Sequence, residues 1–154
     1  MLYFKTIPFP DHIQQAQVEE ALRKASLKKT LSLDFKSSTM NIGTDKKFFG
    51  FEGKNALSFT RIRTSFEFLL PKLIVSVPKD QSATAYKIRL SAVPLAVCLF
   101  IFFGFYSIIV GLIRGIINVE SMAVVLVLAI LFFSLLALEI KITKSRVLKV
   151  IEKA

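Results

Sequence analysis

Residues 90–113 read LSAVPLAVCLFIFFGFYSIIVGLI and residues 121–138 read SMAVVLVLAILFFSLLAL, with only RGIINVE (114–120) between them. Neither run contains a charged side chain. A helix rises about 1.5 Å per residue, so Ala92–Ile113 would reach ~33 Å and Ser121–Leu138 ~27 Å, close to the roughly 30 Å of a bilayer's hydrocarbon core. The competing reading is a pair of core helices in a water-soluble fold. A chain of 154 residues leaves too little surrounding sequence to bury both. The two runs are therefore expected to form a transmembrane hairpin.

Hydrophobic residues make up 53% of the chain and mean hydropathy is +0.57, which excludes intrinsic disorder. Lys and Arg outnumber Asp and Glu by 21 to 11, a formal net charge of +10. That charge is segregated: residues 1–89 carry +7, residues 90–138 carry zero and residues 139–154 carry +3. The expected layout is an α+β membrane protein in three parts. Residues 1–90 form a cytoplasmic module, and 91–138 form the hairpin, with spans at 91–113 and 121–138. Residues 139–154 form a basic juxtamembrane helical tail. Lys87 and Arg89 flank one end of the hairpin and Lys141, Lys144, Arg146, Lys149 and Lys153 the other, whereas the connection holds Arg114 alone. The positive-inside bias then places both termini in the cytoplasm of a two-pass protein. Met1–Lys5 is too short an apolar run for an export signal, and Pro8, Pro10 and Asp11 follow at once.

Within the module, Leu2–Ile7 predicts a strand closed by prolines. Asp11 with Gln14 suggests a capping box opening a helix that runs to about Lys28, with Val18, Ala21, Leu22 and Ala25 as its apolar stripe. The period then changes to two, and Leu31, Leu33 and Phe35 predict a half-buried strand. Ser37–Asp45 reads as a loop. Lys47–Glu52, Ala56–Arg63, Ser65–Leu70, Lys72–Val77 and Thr84–Leu90 read as further strands of an antiparallel meander. Pro71 and the turn Pro78–Ser82 punctuate it. The helix is expected to cover one face of the sheet, and the cover of the other is open. Ser91 is a candidate cap for the first span, with Pro94 in its first turn. Almost no spacer separates the last strand from the lipid.

Ala96, Gly104, Ser107, Gly111 and Gly115 form a small-residue face on the first span. Such a face lets helices approach closely, either the second span or another subunit. Lys87, Arg89, Lys141, Lys144, Arg146 and Lys149 are candidate contacts to anionic headgroups, or topology determinants only. Arg61 and Arg63 share a strand face with Leu57 and Phe59. They are a candidate anion grip, since a guanidinium fork matches phosphate or carboxylate, unless the strand end opens to solvent. No ionisable residue lies in the middle of either span, so a proton relay or ion path within this chain is not expected. His12 beside Asp11 reads as a surface pair, and Cys98 as a small apolar residue. Gly43–Lys47 lacks the spacing of a phosphate loop. No catalytic, metal or cofactor constellation emerges, and the basic residues match no nucleic-acid motif.

The pattern Leu57-x-Phe59-x-Arg61-x-Arg63, followed by Ser65-Phe66-x-Phe68-Leu69-Leu70-Pro71, resembles a segment of small uncharacterised bacterial membrane proteins. These have an N-terminal α+β domain and a C-terminal transmembrane hairpin. Phe51-Glu52-Gly53 is similar to their Phe- and Gly-containing strand. Glu67 and Phe68 stand where that group tends to carry Asn-Ser. The resemblance implies layout and bacterial origin, and no activity; the expected location is the bacterial inner (plasma) membrane.

The expected function is that of a non-enzymatic inner-membrane accessory or scaffold subunit. It would dock a rigid module onto a larger membrane assembly or onto further copies of itself. The alternative is a membrane-anchored module that binds or senses anionic lipid or a small apolar ligand. Expected partners are the bilayer and other membrane subunits, without nucleic acid or cofactor.

Overall fold

A computed structural model describes residues 3–10, 13–29, 32–34, 45–116 and 119–153, the side chains of 119–121 excepted. The expectations for Asp11, His12, Leu31, Phe35 and the loop over 37–44 lie outside the described residues.

The chain forms an α+β fold followed by two long apolar helices. Strand β1 (Tyr3–Pro8) precedes helix α1 (Gln15–Lys24), and then come β2 (Ser26–Lys29), β3 (Phe48–Glu52) and β4 (Ala56–Arg61). A short 3-10 turn (Ser65–Glu67) leads to β5 (Leu73–Pro78) and β6 (Ala85–Leu90), then α2 (Ala92–Ile113) and α3 (Val119–Ile151). The six strands form one sheet in the order β1-β6-β5-β4-β3-β2. Strands β3 to β6 are the expected antiparallel meander, and β1 closes it against β6, with Ile7 opposite Tyr86.

Three elements depart from the sequence reading. Helix α1 opens at Gln15 with Gln14 as its cap and Gln17 completing the capping box, rather than at Asp11 with Gln14, and it stops at Lys24 rather than Lys28. The Ala25 carbonyl accepts from the N–H groups of Lys47 and Phe48 at 2.9 and 3.2 Å, and Ser26 Oγ bonds the Arg23 carbonyl at 3.1 Å. The next four residues are then drawn into the sheet as β2, parallel to β3, so the sheet is mixed rather than antiparallel throughout. Among the alternating residues after it, Ser32–Asp34 is not a strand; Leu33 lies in a turn and packs with Phe49 and Ile74. That small cluster covers part of the sheet face whose cover the sequence leaves open. Finally, Ser65–Leu70 is not a strand. Glu67 Oε2 accepts the Thr64 N–H at 2.9 Å, half of a capping box, and turns the chain before Pro71.

The main core lies on the opposite sheet face. Leu57, Phe59, Val75, Val77 and Ile88 meet Val18 and Leu22 of α1, together with Val147, Val150 and Ile151 from the far end of α3. The chain's C-terminal segment therefore belongs to the same core as the first ninety residues. On α3 the side chains withdrawn from solvent recur at Met122, Val125, Ala129, Phe132, Leu136, Glu139, Thr143, Val147 and Val150. These steps of three and four make one stripe that passes unbroken from the apolar half into the module.

Gly50 permits the unforeseen parallel pair. A Cβ there would lie 2.8 Å from Ser26 Oγ and 3.2 Å from the buried Phe59 ring. Gly50→Val is expected to push β2 off the sheet edge and lower stability by about 1–3 kcal/mol. Thermal unfolding of the detergent-solubilised chain checks this; an unchanged midpoint would show that the β2–β3 contact is slack.

Candidate functional site

The functional candidates meet where the two apolar helices join the sheet. Arg61 ends β4 on the face shared by Leu57 and Phe59, which is the core face, and is among the largest fully buried side chains. It does not open to solvent. Its guanidinium grips carboxylates of its own chain. Nε and Nη2 bond the two oxygens of Glu139 at 3.1 and 2.7 Å, and Nη1 bonds Glu67 Oε1 at 2.6 Å. Thr143 Oγ1 donates to Glu139 one helical turn on, at 3.3 Å. Arg146 reaches Glu67 at 3.5 Å and the Ile62 carbonyl at 3.4 Å. A buried two-pronged ion pair thus fastens α3 to β4, and the 3-10 turn is tied to both.

On the other sheet face Arg89 of β6 makes a second fork, to Asp34 at 2.7 and 2.9 Å. The same carboxylate accepts the backbone N–H of Ala92, at the first turn of α2, where the helix dipole favours negative charge. The Arg89 hydrogen bonds outweigh burial and hold Asp34 below the usual carboxylate range. For Glu67, burial works upward, but the Thr64 N–H, Arg61 and Arg146 together bring it below its ordinary value.

Asp34 also borders a cavity of about 450 Å³ at the start of α2. One side is polar, formed by Asp34, Arg63, Lys72 and Ser91; the other is apolar, formed by Phe68, Leu69, Val93, Val97 and Phe132. Lys72 is 8% exposed and donates to the Leu33 carbonyl, while Arg63 donates to that of Leu70. Burial, helped by Arg63, pushes Lys72 down to about 8. Ser91, 1% exposed, begins α2 as expected, yet its Oγ caps nothing and has no hydrogen-bond partner.

No protein family, curated protein or solved structure matches this chain. Its site is therefore read from its own geometry.

The remaining sequence candidates are dispersed. Of the proposed headgroup contacts, Arg89 and Arg146 are engaged by Asp34 and Glu67. Lys141, Lys144 and Lys149 are exposed, and Lys87 lies over the Tyr3 ring at 5.6 Å. On α2 the buried residues are Pro94, Ile101 and Ile108, seven apart, and Gly111, the one member of the expected small-residue face among them. Gly104 faces Val125, whereas Ala96 and Ser107 are exposed. Gly115 lies beyond the helix at φ +69°, and the N–H groups of Gly115 and Ile116 bond the Leu112 and Gly111 carbonyls. It is a helix-terminating glycine, chosen for its left-handed backbone. Among the described residues no group of three His, Cys, Asp or Glu side chains gathers as for a metal. Sequence reasoning missed Glu67, Glu139, Asp34 and Lys72. The Thr64-x-x-Glu67 box was the available signal for the first; the others take meaning only from tertiary contact.

Removing one partner of a buried ion pair leaves the other charge stranded. Glu139→Ala is expected to cost about 3–5 kcal/mol, and the double variant Arg61→Leu/Glu139→Leu to regain most of it. Melting of both variants in detergent checks this. A double variant no more stable than the single would show that packing, not charge, holds the joint. Because Glu67 and Asp34 are lowered in the fold, their stabilisation is complete above the unfolded carboxylate range of about 4. It disappears as pH falls through the lower folded values. The melting temperature should stay flat from roughly pH 7 to 5 and drop below about pH 4, less steeply in Glu67→Gln. An equal drop in that variant would remove Glu67 from the account.

Proposed function

We propose that this chain is a two-pass inner-membrane accessory subunit, with both termini in the cytoplasm, that holds its α+β module in a fixed pose at the bilayer surface. In this pose the module docks onto membrane partners or a second copy. The reading is carried by the joint itself: α3 continues without a break from apolar helix into module core, pinned by the buried Arg61–Glu139 fork.

Other features agree. Both long helices are apolar enough to cross a membrane, and only 17% and 11% of their most apolar stretches are covered by the chain itself. Phe100, Phe102, Tyr106, Leu131 and Ile113 point outward, as suits side chains solvated by lipid. Beside the start of α2, the 3-10 turn exposes Phe66, Phe68 and Leu69, at 95%, 63% and 65%. Three large apolar groups on one loop tip would be costly in water but suit the headgroup boundary. A module carried this way cannot swivel, which is of use to a subunit that must present a defined face.

In a Cys98→Ser background, Gly115→Cys should react with an impermeant thiol reagent on intact cells, and Ser145→Cys only after permeabilisation. Light scattering in mild detergent should give a protein mass above that of one 17.3 kDa chain. Reaction at position 145 in intact cells would overturn the orientation, and a lone monomer would overturn the subunit role.

A further inference from the structure

We propose that the cavity between the Phe68–Lys72 segment and the first turns of α2 is a binding site for one anionic phospholipid. The phosphate sits against Arg63 and Lys72, and an acyl chain runs along Val93, Val97 and Phe132. The inference rests on the hairpin being inserted in a membrane.

The cavity is amphiphilic in the sense a lipid requires. Its charged groups lie on the module side, where headgroups would be, and its apolar wall is built from the two long helices. Val93 and Val97 are 61% and 39% exposed, so the apolar end opens onto the outward surface of α2 and is no closed void. About 450 Å³ accommodates a glycerophosphate group and the first carbons of a chain.

Charge points the same way. The lining holds Arg63 and Lys72 with Asp34, and Asp34 is paired with Arg89, so three cations stand against one carboxylate, two in excess. Arg63 and Lys72, each donating to a backbone carbonyl, form the positive part of the cavity lining. Such a cluster is costly to bury, and an anion would relieve it. Ser91 supplies an independent sign. Its N–H bonds the Lys72 carbonyl at 3.1 Å, which sets the residue beside Lys72. Ser91 borders the cavity, and its hydroxyl is buried with no partner among the described residues. A phosphate oxygen that reached Ser91 from Lys72 would accept a hydrogen bond from that hydroxyl.

The test uses the full chain, stripped of lipid in detergent, titrated with dioctanoyl phosphatidylglycerol, dioctanoyl phosphatidylcholine or inorganic phosphate and followed by native mass spectrometry. One phosphatidylglycerol should bind per chain, at least tenfold tighter than phosphatidylcholine and a hundredfold tighter than phosphate. Arg63→Gln/Lys72→Gln should lose that preference tenfold, whereas Lys141→Gln/Lys144→Gln on the exposed helix should keep it. Should the first pair fail to fold, Val97→Trp fills the chain end without touching a charge, and is expected to abolish lipid binding while leaving phosphate binding as it was. Equal binding of the two lipids, equal loss in the Lys141/Lys144 pair, or phosphate binding as tight as lipid would each overturn the site. A chain that stays dissolved without detergent would overturn the membrane reading itself, and the lipid site with it.

Discussion

A guanidinium taken wholly out of water must find carboxylates, and Arg61 finds Glu139 and Glu67. That requirement sets where α3 lies on the sheet. Along its apolar half α3 meets α2, with Val125 against Gly104, through contacts that tolerate sliding because one apolar residue can take another's place at little cost. A slip of one turn would bring Leu135 or Leu136 or Thr143 toward Arg61 in place of Glu139 and strand a buried charge, at several kcal/mol. The pair therefore adds little to stability over a good apolar contact. What it supplies is a single permitted register, and the core formed by Val147, Val150 and Ile151 with α1 depends on that register.

What was legible in the sequence was what depends on local pattern. The two uncharged runs, the strands from Phe48 to Glu52 and from Ala56 to Arg61, the turn after Pro78 and the start of α2 just before Pro94 each follow from composition, period or proline. The misreadings share a different cause. Ser26–Lys29 holds one apolar residue and continues a helical pattern, and only pairing with β3 across Gly50 makes it a strand. Leu33 alternates with polar neighbours as a strand residue would, yet serves as a plug over Phe49 and Ile74. Arg61 looked like a surface residue by composition, and nothing near it in the chain indicates that its partner lies seventy-eight residues away. The same holds for the candidate site. Arg61 and Arg63 could be picked out as anion-seeking, but their adjacency to Lys72 and Ser91, and the identity of Arg61's anion, are properties of the fold.

The two forks are a matched set. Arg61 on β4 takes Glu139, at the end of the apolar part of α3; Arg89 on β6 takes Asp34, which in turn holds the first free N–H of α2. Each long helix thus meets the sheet through a carboxylate paired with an arginine. The arginines lie on opposite sheet faces, with β5 between their strands and hydrogen-bonded to both. Neither helix can change its angle to the module without breaking a buried charge pair or the central strand between them. A displacement at one helix is consequently resisted at the other through the sheet.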